Sequence, residues 1–231
     1  MIEKNKEDKI DHDYNELNDV EKDILMELGN IGSGHAVTAL SEILGSFVEI
    51  TLTSVKLVPF WKFADLFVNP QEILFGIISK IKEKEKLTIL QIFSLNSLYS
   101  LLQINSKDNK IKNVEKIKTI GDISSENLEK LREIGNILAG HYASALANLM
   151  GTILIPEVPR VALDNIQAMS NSLIANYAEI SNYSIIIDTK LIIRESDIKG
   201  LFCFVLDFKS INKIIQNLKI KQNLLLLGVP N

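Results

Sequence analysis

The sequence predicts an α+β fold made from a duplicated unit, with one sheet of roughly six strands and long helices packed on it. Three observations predict this fold. The segment Asp23–Gly45 returns 106 positions later as Glu129–Gly151, with ten of 23 aligned positions identical. β-rich segments follow each copy. Finally, both halves show the order helix–strand–helix–strand–strand–helix, which favours a pseudo-two-fold assembly with three strands from each half.

A long helix opens the first half. Asn18 or Asp19 can cap it, acidic residues fill its first turn, and it is predicted to run from Val20 to Leu44 and stop at Gly45. Its apolar spacing predicts a buried stripe at Ile24, Leu28, Ile31, Ala39 and Ile43.

Strand-like and helix-like segments then alternate to the end of the first half. The charged run Lys82–Lys86 is predicted to be the turn of a hairpin. In order, the predicted segments are strands Phe47–Leu52 and Val55–Val58, a short helix around Pro59–Phe67, strands Ile73–Ile81 and Leu87–Phe93, and a helix Leu95–Gln103.

The second half repeats this order. Its long helix is predicted to start near Ser124 or Ser125, either of which can cap it, and to end at Gly151. The later segments are a strand Thr152–Val158, a helix near Asp164–Tyr177, strands Ser184–Ile193 and Gly200–Phe208 around a turn-rich stretch at 195–199, and a helix Ser210–Leu218.

The organisation along the chain follows from these segments. Residues 1–16 are charged and aperiodic and are predicted to form a flexible extension. Residues 17–219 form a single domain of two repeats, 17–104 and 122–219, joined by a Lys- and Asn-rich linker at 105–121. A Leu-rich tail covers 220–231.

Bulk composition excludes several classes of function. A net charge of −4 leaves no basic footprint, so nucleic acid is not an expected partner. No apolar run reaches the roughly 18–20 residues of a membrane span, and the polar N-terminus lacks a secretory signal. The single cysteine, Cys203, rules out an internal disulfide and fits a buried position. We therefore expect a cytoplasmic location without membrane insertion.

Common catalytic motifs do not occur in the sequence. The glycine-rich string at 29–34 lacks the Lys-Ser/Thr of a P-loop, and no GxSxG string is present. The three histidines are not spaced as metal ligands, so no metal of the protein's own is expected.

The feature that packing does not explain is a repeated polar pair. Glu27 precedes Asn30 by three residues, and Glu133 precedes Asn136 in the same way, so each pair shares a helix face. A carboxylate can bind a partner's Lys or Arg, and a carboxamide can hold a water in one orientation. Neither group is a nucleophile. The pairs are therefore predicted to complete a site that another molecule mostly supplies, by placing water for attack on a phosphoryl group.

Glycines and histidines accompany both pairs. Each interior helix glycine costs roughly 0.5–1 kcal/mol relative to Ala, so Gly29 and Gly135 indicate close approach to the sheet beneath or to a partner above. They are also predicted to leave the surface beside each Asn bare. His35 and His141 lie about 140° round the helix from each Asn, and packing is the favoured interpretation of both.

These residues carry a family resemblance. The sequence resembles the CheC family of chemotaxis phosphatases, whose relatives include CheX and FliY. The family motif is Asp or Ser, three residues, Glu, two residues, Asn, 22 residues and Pro. Asp23, Glu27 and Asn30 match the front of it.

In the second copy Glu133, Asn136 and Pro159 match in register, while Glu129 replaces the Asp or Ser. Thr53 stands where the first motif has Pro. Two motifs without an appended flagellar-switch domain make the chain most like CheC itself.

The resemblance implies hydrolysis of the aspartyl phosphate on a CheY-type receiver domain. By analogy Asn30 and Asn136 orient the attacking water, and Glu27 and Glu133 engage the receiver's Lys. Asp23, Gly29, Glu129, Gly135 and Pro159 are the supporting residues. The implied partners are the phosphorylated receiver, which carries the Mg²⁺, and a CheD-like receptor deamidase.

Two other functions remain open. One is a non-catalytic adaptor of the same fold that binds a CheD-like deamidase or a flagellar-switch partner. The other is a metal site formed by Glu27, Glu133 and the histidines, which the placement of each His eight residues after its Glu disfavours.

Overall fold

The computed structural model describes residues 18–59, 62–69, 71–82, 87–103, 117–177, 183–193 and 196–205, and positions 210, 213, 214, 216, 217, 219, 220 and 223. Its helices are α1 Asp19–Leu44, α2 Leu95–Gln103, α3 Ser125–Met150 and α4 Ile166–Tyr177. Its strands are β1 Val48–Pro59, β2 Ile73–Lys82, β3 Thr88–Ser94, β4 Ile155–Pro156, β5 Arg160–Asn165, β6 Tyr183–Ile193 and β7 Ser196–Val205. Within this part of the chain, no helix is long and apolar enough to cross a bilayer.

The two long helices begin and end as predicted. The Asn18 side chain accepts a hydrogen bond from the Glu21 backbone N–H at 2.9 Å, and the Glu21 carboxylate accepts one from the Asn18 N–H at 3.1 Å. This capping box satisfies two N–H groups that the first turn leaves unpaired. Lys219 reaches the same carboxylate at 3.1 Å. At the other ends, Gly45 and Gly151 adopt φ of 54° and 60°, the left-handed conformation that glycine tolerates best.

The predicted fold class is confirmed, with six strands that interleave the two halves. The order across the antiparallel sheet is β1-β6-β7-β3-β2-β5, and β4 pairs with the far end of β2. The first strand of each half therefore pairs with the second strand of the other half. The third strands, β3 and β7, meet at the centre. Exchanging the halves reproduces the same order, which is the pseudo-two-fold symmetry expected from the duplication.

Helices cover both faces of the sheet. α1 and α3 lie against each other, and with α2 they bury the larger apolar cluster, which includes Leu40, Phe75 and Ile134. A smaller cluster on the opposite face contains Phe63, Met169 and the buried Cys203. Each fully buried large apolar side chain contributes roughly 1.5–3 kcal/mol, so the sheet fixes both long helices firmly.

The stripe predicted for α1 is partly wrong. Ile31 and Ile43 are 45% and 46% exposed, whereas Leu25, Ala36 and Leu40 are fully buried. Gly29, Gly32 and Ser33 also face inward, which rotates the buried face away from the predicted residues. Small residues define this face, so a count of large apolar residues misplaces it. The side chains of Ile24 and Leu28 lie outside the described set.

Several boundaries also differ from the prediction. β1 is one continuous strand, and the helix predicted around Pro59–Phe67 is reduced to a 3₁₀ turn at Ala64–Leu66. The strand predicted at Thr152–Val158 pairs only at Ile155–Pro156, while β5 was not predicted. β7 starts at Ser196, so most of the stretch predicted as a turn is strand.

The other predicted segments agree where they are described. The hairpin strands β2 and β3, the helix α2, the strand β6 and most of the helix around 164–177 are confirmed. Positions 210, 213, 214, 216 and 217 are helical, as predicted for 210–218. The extension at 1–16, residues 105–116 of the linker, the hairpin turn at 83–86 and most of the tail lie outside the described residues.

Candidate functional site

Both polar pairs are displayed on the outer surface of the two long helices. Glu27 and Asn30 of α1 are exposed, as are Glu133 and Asn136 of α3. In α3 the residues between the two, Ile134 and Gly135, are buried against the sheet and therefore face the other way. An exposed carboxylate and carboxamide on one helix face can be reached by another globular protein. Asp23 and Glu129, one turn earlier, are exposed as well.

The glycines next to each Asn bring the helices onto the sheet. A Cβ on Gly29 would overlap the Leu52 side chain of β1, and a Cβ on Gly135 would lie 2.5 Å from Cγ2 of Ile77 in β2. The Gln91 side chain in β3 also donates to the Gly135 carbonyl at 2.8 Å. Close approach to the sheet is thus the correct interpretation of these two glycines. The prediction that they leave the surface beside Asn bare is wrong.

Other glycines provide the bare surface. Gly34 and Gly140 lie four residues after each Asn and therefore on the same side of the helix. Nothing lies within 4 Å of a Cβ built at either position. No contact within the described chain offsets their cost to the helix. Gly32 has a different role, because a Cβ there would lie 2.8 Å from the Tyr142 ring of α3.

A pocket forms beside the second pair. It encloses about 280 Å³ and is lined by Glu129, Arg132, Glu133, Asn136, Val158 and Pro159. The structure therefore brings together every predicted residue of the second motif except the buried Gly135. Arg132 and Val158 were not predicted. Helical spacing would have indicated Arg132, because it lies four residues before Asn136 on the same helix. No sequence signal places Val158 at this pocket.

Pro159 and Thr53 occupy equivalent bulges in the sheet. In β1, Thr53 is the extra residue between Leu52, opposite Thr189, and Ser54, opposite Asp188. In the second repeat, residues 157–159 face only two residues of β2, since Pro156 pairs with Ile81 and Arg160 with Ile78. A bulge bends a strand and commonly lies beside a functional site. The motif position 23 residues after Asn is thus a bulge in both repeats, whichever residue fills it.

The two histidines meet between the repeats. Their imidazole rings stack, and His141 is partly buried while His35 is exposed. Packing, the favoured interpretation from the sequence, agrees with this contact. Among the described residues, no group of three His, Cys, Asp or Glu side chains is close enough to hold a metal ion.

The first site differs from the second in its neighbours. Met26 occupies the position of Arg132, and Thr53 that of Pro159. The Ser33 hydroxyl donates to the backbone carbonyl of Asn30 at 3.1 Å. Ile31 beside Asn30 leaves an apolar surface next to the pair. The two sites share a Glu–Asn pair but have different surroundings.

The CheC-like family model matches residues 20–51 and 131–163, which contain both pairs. The resemblance to the CheC family is thereby confirmed.

Individual relatives agree with this family. The CheY-P phosphatase CheC of Bacillus subtilis (strain 168) is 26% identical over 206 residues, covering 87% of this chain and 95% of that protein. The flagellar motor switch phosphatase FliY of the same bacterium is 40% identical over 58 residues, 25% of this chain and 15% of FliY. The crystal structure of Thermotoga maritima FliY superposes with a TM-score of 0.66 at 20% identity, covering 89% of this chain and 98% of that chain. The last similarity concerns the fold alone.

Proposed function

We propose that the protein is a phosphatase that hydrolyses the aspartyl phosphate of a CheY-type response regulator in chemotaxis. The observation that carries this proposal is the exposure of two equivalent Glu–Asn pairs on adjacent helices. The relative in Bacillus subtilis, similar over most of both chains, is named as a phosphatase of CheY-P. We place the reaction in the cytoplasm.

Each pair contributes orientation and binding to the reaction. The side-chain amide of Asn30 or Asn136 enters the partner's phosphorylation site and holds a water in line with the phosphorus–oxygen bond to the aspartate. The water oxygen bonds to phosphorus, the bond to the aspartyl oxygen breaks, and inorganic phosphate and a free carboxylate result. Glu27 or Glu133 binds the receiver's Lys and fixes the approach of the two proteins. The Mg²⁺ carried by the receiver would supply the charge that neutralises the phosphoryl oxygens.

The supporting residues shape each site. Gly29 and Gly135 set the depth of the helices on the sheet, and Gly34 and Gly140 leave room for the receiver. Asp23 and Glu129 add negative charge one turn before each Glu. Pro159 forms part of the wall beside Glu133 and Asn136.

The test is the lifetime of the phosphate on a CheY receiver with and without the protein. We expect wild type to shorten it and the double variant Asn30→Ala/Asn136→Ala to lose about a hundredfold or more in rate, the order of magnitude that removal of one hydrogen-bonding group from an active site costs. Each single variant should retain the activity of the other site. Asn148→Ala is the matched control, because Asn148 is also an exposed Asn of α3 but lies outside the pocket.

A non-catalytic adaptor is the second candidate. Phe47 and Ile153 occupy equivalent positions after the two long helices and are 74% and 77% exposed. Large exposed apolar side chains often mark protein contacts, and such a contact suits a CheD-like deamidase or a flagellar-switch partner. An unchanged phosphate lifetime with wild-type protein, together with binding that Phe47→Ser and Ile153→Ser abolish, would establish the adaptor and refute the phosphatase.

A further inference from the structure

The second site contains a cation, Arg132, at the position that Met26 fills in the first repeat. Arg132 is partly buried and lines the pocket with Glu133 and Asn136. The equivalent residue in the first repeat is Met26, which is also partly buried. Because both positions directly precede the motif Glu, the guanidinium is placed beside the second pair alone.

The guanidinium is available for a partner. Glu129 and Glu133 line the same pocket, yet no carboxylate of the described residues lies within ion-pair distance, 4.0 Å, of Arg132. Glu133 is needed for the receiver's Lys in the proposed reaction. Because Arg132 makes no ion pair with a carboxylate of the described residues, its guanidinium is positioned to accept an anion from outside.

The chemistry of the arginine selects the kind of anion. Its planar guanidinium presents parallel N–H donors that match the oxygens of a phosphoryl group or a carboxylate. Partial burial strengthens such a contact relative to one in bulk water. A phosphorylated receiver site presents both kinds of oxygen, on the phosphoryl group and on its acidic residues.

We propose that Arg132 is a specificity-determining residue that binds an anionic group of the phosphorylated receiver and makes the second site the higher-affinity site. This inference rests on the proposed function and assigns unequal roles to its two sites. The first site, with Met26, relies on its Glu–Asn pair and apolar neighbours. Arg132 acts mainly on binding, so its loss raises KM more than it lowers kcat.

The turnover experiment isolates the second site in an Asn30→Ala background. Arg132→Gln is expected to raise KM for phosphorylated CheY about tenfold with kcat changed less than threefold, since a charge-assisted hydrogen bond is worth about one decade in affinity. Arg132→Lys should restore part of the loss. Arg160→Gln removes the same charge from an exposed neighbouring position outside the pocket and serves as the control. In an Asn136→Ala background, Met26→Arg should lower the KM of the first site.

A binding experiment separates this inference from the phosphatase proposal. The probe is Bacillus subtilis CheY carrying Mg²⁺, with and without beryllofluoride as the phosphoryl mimic. An Arg132→Gln effect seen only with beryllofluoride assigns the phosphoryl oxygens as the ligand, and an equal effect without it assigns receiver carboxylates. In either case the difference in affinity between wild type and Arg132→Gln should shrink as the salt concentration is raised from 50 to 500 mM, because salt screens exposed charges.

Each outcome decides the inference. If Arg132→Gln and Arg160→Gln have equal affinity and KM, Arg132 has no specific role, even if the protein is an active phosphatase. If wild type binds CheY without hydrolysing its phosphate, the proposed function fails, but a selective loss of affinity in Arg132→Gln still supports the contact. Absence of both binding and hydrolysis with wild type overturns both.

Discussion

The imidazole rings of His35 and His141 stack with their centroids 6.1 Å apart and their planes 17° from parallel. The two residues occupy equivalent positions in α1 and α3, so their contact joins the two repeats at the pseudo-two-fold axis that relates them. Burial, and next the charge of His35, lowers the pKa of His141. The neutral ring is therefore the form that this contact favours.

The histidine contact predicts a pH dependence of stability. An unfolded His141 binds protons below about pH 6.5, whereas the folded one resists protonation until a lower pH. Between these two pKa values the unfolded state thus binds more protons than the folded state, so stability falls as the pH drops through this range. We expect the melting temperature to fall as the pH drops from 7.5 to 5.5, and to fall less in His141→Gln. His35→Gln should give an intermediate slope. Parallel pH profiles for all three proteins would contradict this.

Two glycine substitutions on α3 should have opposite effects on stability. Gly135→Ala places a methyl group against Ile77 and is expected to cost roughly 1–3 kcal/mol of unfolding free energy through overpacking. Gly140→Ala meets open space and should gain about 0.5–1 kcal/mol from helix propensity. Urea denaturation measures both. Equal effects would mean that helix–sheet separation at Gly135 adjusts freely.

The same Gly140→Ala protein tests the surface beside Asn136. Its added methyl group lies on the face that a docking receiver would approach. We expect a more stable protein that dephosphorylates CheY more slowly in the Asn30→Ala background. A stabilised variant with undiminished activity would show that the receiver does not contact this turn of α3.

The equivalent bulges predict that Thr53 can be replaced by proline. Thr53 is the unpaired residue of the β1 bulge, and Pro159 fills the corresponding position. Proline is tolerated at bulges, and at a compatible position it stabilises by about 0.4–1 kcal/mol through the unfolded chain. Because Thr53 also donates to the Asp188 carbonyl at 3.3 Å, the net gain is expected at the low end. A loss above about 1 kcal/mol would show that the two bulges differ in backbone conformation.

The capping box of α1 predicts a measurable cost for its removal. Asn18→Ala leaves the Glu21 N–H without its cap, whereas the Glu21 carboxylate keeps its bonds to the backbone N–H of residue 18 and to Lys219. We expect a loss of about 1 kcal/mol in unfolding free energy, typical of an N-cap. Ser124→Ala at the start of α3 is the matched comparison, since Ser124 caps Asn127 but makes no capping box. Because each variant removes one side-chain cap, an unchanged unfolding free energy in both would contradict the capping role of Asn18 and Ser124.

Local chemistry explains which parts of the fold were predictable. Caps such as Asn18 and the glycines at 45 and 151 are encoded within a few residues, so both long helices were located closely. The duplication supplied the symmetry of the sheet. β5 was missed because its sequence, RVALDN, does not alternate apolar and polar residues, and because its partner strand β2 lies in the other half of the chain.

The candidate site, too, was predictable from the sequence only in part. Spacing alone places Glu133 and Asn136 on one face. Arg132 follows from the same helical spacing, because it lies on α3, whereas Val158 lines the site from the segment between β4 and β5, which spacing along the helix does not indicate. Likewise, the sequence cannot tell a glycine that faces the sheet, Gly135, from one that faces open space, Gly140. That distinction depends on the rotation of the helix on the sheet.

The interleaved strand order also constrains how the protein is made. β1 lies at an edge of the sheet and pairs with β6, joining residues as distant as Val48 and Ile193. While the ribosome is still translating the second repeat, β1 has no partner, and pairings of such long range form slowly. The nascent first repeat must therefore keep an unpaired, aggregation-prone edge protected until the carboxyl half emerges. The sheet can therefore be completed only after β6 of the second repeat has been synthesised.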